Sequence, residues 1–453
     1  MFPLVTAAFA SAMSMTIMPV AVPAITSYFS LGQDLVHWVS TGFMAAMAFS
    51  MLLTPWLVAR FGFRRVYEVS LLLLLGGAVC SSLAPNFGSL VLARLVEGVA
   101  AGILQPLPVI VVSMAFGDGQ RGRAMGIFTL GTVLAPALSP VLGGLLIQMF
   151  GWRAVPLALT PMCLLALPAG RWLRCYGAKE KADEWSIKTL DLISIGLAAG
   201  AIFCVLVGLS IWRSANAWAC FALVVLGLLA GAMFLRRQGQ LVKPILSIKV
   251  FGSRNFALTC LVAFIYGLGV FGSAYLIPIF IQQVLLRTAA EAGAVMLPAG
   301  LLLVVSSPVG GWLSDRFQTS RVIAAGMCLL AVAFTALVAV QVHTELSFII
   351  MILMFSRLGM ALVLPSLTLS ALKTLSHDDW TDGSTAINLI RQLGASLGVS
   401  FVAVFLQWRM VIHQGADAHS IEWASLAFHE TFAITGFAMG LGAWIALKAH
   451  KLT

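Results

Sequence analysis

The chain is a succession of apolar runs, each about 20 residues long and separated by short charged or Gly/Pro-rich connections. That pattern constrains the fold more than any other feature. Inside hydrocarbon no water meets the backbone N–H and C=O groups, so runs of this length satisfy themselves only as helices. Fourteen such segments read out, at roughly 2–24, 38–58, 66–83, 89–115, 122–147, 153–171, 190–212, 217–235, 255–283, 290–313, 321–341, 346–373, 385–407 and 428–447. The expected fold is an all-α polytopic membrane protein with fourteen transmembrane helices. Of 453 residues, 60% are hydrophobic and 10% charged, and soluble domains carry about 25% charged residues. This excludes a soluble enzyme, a disordered chain and a nucleic-acid binder. The net charge of +10 sits in short loops, where it sets topology.

Those loops orient the chain. Of the 27 Lys and Arg residues, 20 fall in one set of loops and 4 in the other, and Arg94, Arg357 and Arg391 lie inside spans. Positive loops face the cytoplasm, which predicts a membrane protein with both termini cytoplasmic. The first basic residue is Arg60, so residues 2–24 read as a retained span rather than a signal peptide. The abrupt entry into that span also fits a start codon lying upstream. The seven cysteines form no CxxC pair, and neither a disulfide framework nor a metal site is expected.

The sequence repeats. Residues 55–61 read Pro-Trp-Leu-Val-Ala-Arg-Phe and residues 311–317 read Gly-Trp-Leu-Ser-Asp-Arg-Phe, with four of seven positions identical at an offset of 256. Arg94 and Arg357 lie 263 apart in corresponding spans. Two pseudo-repeated six-helix bundles (1–175 and 251–453), with two additional central helices and linkers between them (176–250), account for both. Repeated halves are a transporter pattern, with the substrate near the midplane between them.

These residues resemble the major facilitator superfamily. The loop after the second span is similar to its signature loop. Gly131, Ala135, Pro136, Ser139, Pro140, Gly143 and Gly144 resemble its antiporter motif, and Arg94-Leu-Val-Glu97-Gly98 its span-four arginine motif. Fourteen spans, the run Ile387–Gly394 and the run Tyr275–Gln282 are similar to the fourteen-span drug:proton antiporter branch. The resemblance implies proton-coupled export of amphipathic drugs and gives Arg94 a role. The chain departs from the pattern at Pro55, Ala59 and Ser139. Ser14 also departs, standing where this branch often has an Asp. The second copy of the loop keeps Gly311 and Asp315.

Glu97 is the one acid placed deep in a span. Its i, i+3 spacing from Arg94 puts both on one helix face, as expected of a proton-coupling pair, since buried charges need partners. A structural lock between helices is the alternative reading. Gly131, Ala135, Ser139 and Gly143 recur every four residues and predict a tight face, read as a seam between the halves, with ordinary helix packing the alternative. Arg60, Arg64, Arg65, Asp315 and Arg316 are candidate gating charges at the cytoplasmic ends. Glu68 pairs with Arg64 at four-residue spacing, and Thr288 with Glu291 spells a capping box. Candidate cavity residues are Met18, as adaptable apolar wall, and the sparse polar set Ser14, Tyr275, Gln282, Arg357, Asn388 and Gln392, suited to an amphipathic organic substrate, with packing or inter-helix glue the alternative.

No Walker loop, zinc helix or catalytic cluster occurs, so no catalytic residue, metal or cofactor is expected. The expected partners are substrate, protons and the bilayer; the residues do not say whether a periplasmic adaptor joins them. Export of an endogenous lipid or secondary metabolite is the alternative function, and a membrane-embedded enzyme the remote one.

Overall fold

The computed structural model describes residues 2–107, 118–168, 191–211, 217–241, 244, 246–375, 380–413 and 421–450. Among these residues every regular element is helical and no strand occurs. The first half holds α1 (Phe2–Phe29), α2 (Trp38–Phe61), α3 (Phe63–Ser82), α4 (Phe87–Leu104), α5 (Asp118–Phe150) and α6 (Thr160–Ala166). Two helices follow, α7 (Leu192–Ser210) and α8 (Ala217–Gln240). The second half holds α9 (Arg254–Gln283), α10 (Ala289–Arg316), α11 (Thr319–Ala336), α12 (Leu346–Thr374), α13 (Trp380–His413) and α14 (Ile421–His450). Among the described residues, thirteen helices are long and apolar enough to cross a membrane.

The exception is α6. Its segment opens with two 3-10 turns, Trp152–Ala154 and Pro156–Leu159, before seven α-helical residues. Pro156 and Pro161 lack the amide hydrogens that would carry an α-helix through. The remainder of the expected sixth span, from 169 on, lies outside the described residues. So does the stretch 108–115 of the fourth span, beyond the end of α4 at Leu104.

Local chemistry fixes several helix starts. Asn86 and Ser89 close a capping box on α4, and Thr288 and Glu291 close the expected one on α10. Gly62, at φ +80°, makes the one-residue turn between α2 and α3, a conformation costly to a side chain.

Helix pairings repeat across the chain. In the first half α1 packs on α5, α2 on α4 and α3 on α4; eight helices later α9 packs on α13, α10 on α12 and α11 on α12. The halves meet along α5 with α10 and α2 with α13, contacts that exchange under the same operation. This is the architecture the heptapeptide repeat predicts. The paired helices α7 and α8 lie outside it, with 22% and 17% of their apolar windows buried against 78% for α1. They are pinned at one end by Arg237, whose Nε lies 2.5 Å from Asp191 Oδ2. Hydrogen bonds from Arg237 and Ser194 hold the Asp191 carboxyl well below the usual carboxylate range.

Candidate functional site

α4 carries Arg94 and Glu97 into the middle of the first half, where they are 1% and 0% exposed. Arg94 Nη1 lies 2.5 Å from Glu97 Oε2 and 2.9 Å from Ser14 Oγ on α1. Nη2 donates to the Ser14 carbonyl at 2.9 Å and Nε to the Val39 carbonyl on α2 at 3.2 Å. The guanidinium carbon stands 4.3 Å from the centre of the Phe43 ring. Glu97 accepts from Ser14 Oγ at 2.7 Å and from Ser81 Oγ on α3 at 2.6 Å. Four helices therefore converge on one ion pair. Every contact to the carboxylate comes from a donor, the arrangement an ionised, acceptor-only group requires. Room for it comes from Gly77 on α3, where an added Cβ would lie 2.6 Å from Glu97 Cγ.

The network joins two candidates that the sequence kept apart. Ser14, expected at the substrate cavity, instead bridges Arg94 and Glu97. The acid absent from α1 stands on α4, within hydrogen-bonding distance of position 14. Ser81, Gly77, Val39 and Phe43 were not foreseen. The small pairs Gly76-Gly77 and Ser81-Ser82 in an otherwise bulky α3 are the signal that could have pointed there.

The antiporter-like segment of α5 has two working faces. Gly131 and Gly143 approach Val5 and Ile17 of α1, and Ser139 accepts from Thr16 at 2.9 Å while donating to the Ala135 carbonyl at 2.6 Å. The four-residue stripe thus packs inside its own half. Of the two readings of the stripe, its contacts are those of ordinary helix packing and not of a seam. The seam uses Ala137, Pro140 and Gly144, which meet Gly300, Gly293 and Ala289 of α10 backbone to backbone. A helix that must grip two partners needs small residues on both sides, and the second set lies one residue step around the axis.

The model of the Major Facilitator Superfamily matches residues 4–399. The chain belongs to the major facilitator superfamily. An uncharacterized MFS-type transporter of Bacillus subtilis (strain 168), YhcA, is 26% identical to it, covering 94% of this chain and 79% of that protein. A multidrug resistance protein B homolog of Mycobacterium tuberculosis (strain CDC 1551 / Oshkosh) is 28% identical, covering 87% of this chain and 73% of that one. Among solved structures, a peptide transporter POT in complex with sulfate aligns at TM-score 0.73 and 15% identity, covering 100% of this chain and 94% of that one. That likeness is one of fold. This major facilitator protein is a transporter, not an enzyme.

The superfamily's two-halved design gives the remaining candidates their setting. Gln282 on α9 donates to the Val20 carbonyl on α1 at 3.0 Å, and His37 before α2 lies 3.3 Å from Ser400 on α13. Both bonds cross between halves toward the end opposite Arg60. At the Arg60 end, Asp315 is exposed, and no ion pair among the described residues involves Arg60, Arg65 or Asp315. Arg316 stacks on Trp312 at 4.5 Å, and Arg64 pairs with Glu68 at 2.6 Å, as expected. Met18 and Tyr275 are wholly enclosed by packing. Arg357, Asn388 and Gln392 lie on α12 and α13 of the second half, with Arg391 hydrogen-bonded to Asn388 at 3.2 Å.

Proposed function

We propose that this transporter exports amphipathic organic compounds in exchange for protons, rocking its two halves about a central site. The division assumed is 1–175, 176–250 and 251–453, in a bacterial inner membrane with the Arg60 end and both termini cytoplasmic. The observation that carries the coupling half of this reading is the closed network on Glu97. A proton arriving at Glu97 turns one acceptor oxygen into a donor, so the contact from Arg94 must break unless a hydroxyl of Ser14 or Ser81 turns round to accept. Breaking it leaves Arg94 seeking another acceptor, and either change reorders the bonds that tie α1 and α3 to α4. Protonation and helix packing are thereby the same event, which is what antiport requires.

The charged loops act as the gate in this reading. Asp315, free here, would gain a basic partner such as Arg60 or Arg65 when the cytoplasmic ends close. Export of drugs rather than nutrients is supported by relatives named for multidrug resistance and by the scarcity of hydrogen-bonding groups on the helices. Export of an endogenous lipid or metabolite uses the same machinery and remains the second reading.

The test uses everted vesicles energised by respiration, with an acidic-interior dye reporting the proton gradient. A panel of toxic compounds is added to vesicles carrying wild type, Glu97→Gln or no transporter. Wild type should discharge the gradient when a transported compound arrives; Glu97→Gln should not, while still exchanging labelled compound across the membrane. Normal proton discharge by Glu97→Gln removes that residue from the coupling step.

A further inference from the structure

The cations of the membrane interior fall into two classes. Arg94 has Glu97. Nearer the helix ends, Arg237 has Asp191, Arg409 has Glu430 and Arg287 has Glu291. Arg357 and Arg391, both half-buried in the second half, pair with no carboxylate among the described residues. Arg357 Nη1 reaches only the Met360 sulfur, at 2.9 Å, a weak acceptor, and its Nε is buried with no partner. Arg391 makes a single side-chain bond, to Asn388 Oδ1 at 3.2 Å. The next residue of α13, Gln392, is 1% exposed, yet neither its Oε1 nor its Nε2 has a partner, and the hydroxyl of Ser396 a turn further is also unpaired.

The two guanidiniums share a neighbour on α9. Tyr266 of α9 lies within electrostatic range of both guanidiniums. Gly267 of α9 backs directly onto the Arg391 carbonyl. On α12, Met360 and Ala361 pack with Val133 of α5 and with Leu303 and Val304 of α10. Arg357, three and four residues earlier, shares that face, so it is directed toward the junction of the halves. Buried polar groups left unpaired mark a place where something else supplies the partner. At the two guanidiniums the missing partner is an acceptor, and Gln392 and Ser396 each have a donor that can turn to the same acceptor. Glu97 cannot supply it, since both its oxygens are already engaged.

We propose that Arg357, Arg391 and Gln392 form an oxyanion-binding subsite, and that the exported compound bears a carboxylate or comparable acidic group on an apolar body. This rests on the export reading above and narrows it. A cationic compound would enter a half carrying two uncompensated positive charges, and the arrangement selects against it. A guanidinium pair with a flanking amide suits a carboxylate, which accepts several bonds at once.

The experiment measures equilibrium binding to purified protein in lipid nanodiscs, with three probes sharing one fluorophore. Dansylglycine is anionic, dansylamide neutral and dansylcadaverine cationic. Dansylglycine should bind at least about tenfold more tightly than dansylcadaverine, the scale of one charge-assisted hydrogen bond. Arg357→Gln and Arg391→Gln should each weaken dansylglycine about tenfold and leave dansylamide within about twofold. Arg357→Lys, which keeps the charge, should retain most of the preference and guards against a misfolded Gln variant. Tightest binding of dansylcadaverine, equal weakening of all three probes, or no binding of any overturns the subsite. No gradient is present, so the subsite stands or falls here independently of export: an anion preference without transport in vesicles would sink only the export reading.

Discussion

At the residue scale the densest information lies at Glu97. Arg94 and Glu97 were legible in the sequence, because two opposite charges three residues apart in an apolar run leave few alternatives. Their partners were not legible. Ser14 is 83 residues from Glu97 in the chain and Ser81 is 16 away, and both look like ordinary small residues of a packed helix. Only the fold brings their hydroxyls to the carboxylate. Gly77 is the sharpest case, since its role is to be absent. Gly77→Ala should lower stability by about 1–3 kcal/mol, the cost of overpacking a filled interior. A thermal melt in detergent checks this. A variant melting with wild type would show that Glu97 has slack and that its contacts are looser than their distances imply.

At the element scale α5 shows both the reach of pattern reading and its limit. The four-residue spacing of Gly131, Ala135, Ser139 and Gly143 correctly marks a close helix contact. It does not say with which helix, because period alone carries no partner label. The contact is with α1, and the seam with α10 falls to Ala137, Pro140 and Gly144. The same limit explains α6, whose composition is that of a full span while its prolines turn the start into 3-10 turns. The seam assignment has a consequence. Gly144 faces the carbonyl of Ala289, so a branched side chain there must push α5 and α10 apart. Gly144→Val should leave membrane insertion intact and cut transport about tenfold, the factor an overpacking cost of about 1–3 kcal/mol implies. Gly76→Val, at a position where an added Cβ meets nothing within 4 Å, is the matched control and should transport normally. Equal loss in both variants would point to a general intolerance rather than to the seam.

At the scale of the whole molecule the arrangement is asymmetric end to end. The repeat and the helix count could be read from sequence because hydropathy is a local property. The state of the gate could not, since it depends on which end of the two halves is in contact. In this structure the described contacts between halves lie toward the end opposite Arg60: α5 against α10, Gln282 on Val20, and His37 beside Ser400. The charged residues at the Arg60 end stand unpaired across the seam. In the rocking mechanism proposed above, reversing access must break the first set, and those two hydrogen bonds are the polar part of it, His37 also lying 3.1 Å from Ser210 of α7. Each is worth about 0.5–1.5 kcal/mol, so removing both should shift a two-state balance severalfold without unfolding either half. The reporter is Ser396→Cys, a buried α13 hydroxyl with no partner, in a background with all seven cysteines replaced. A membrane-impermeant thiol reagent added from the side opposite Arg60 should label it slowly. Adding His37→Ala and Gln282→Ala together should raise that rate several-fold, with labelling from the Arg60 side falling to match. Unchanged rates from both sides would mean that helix packing along α5 and α10 alone keeps that end closed.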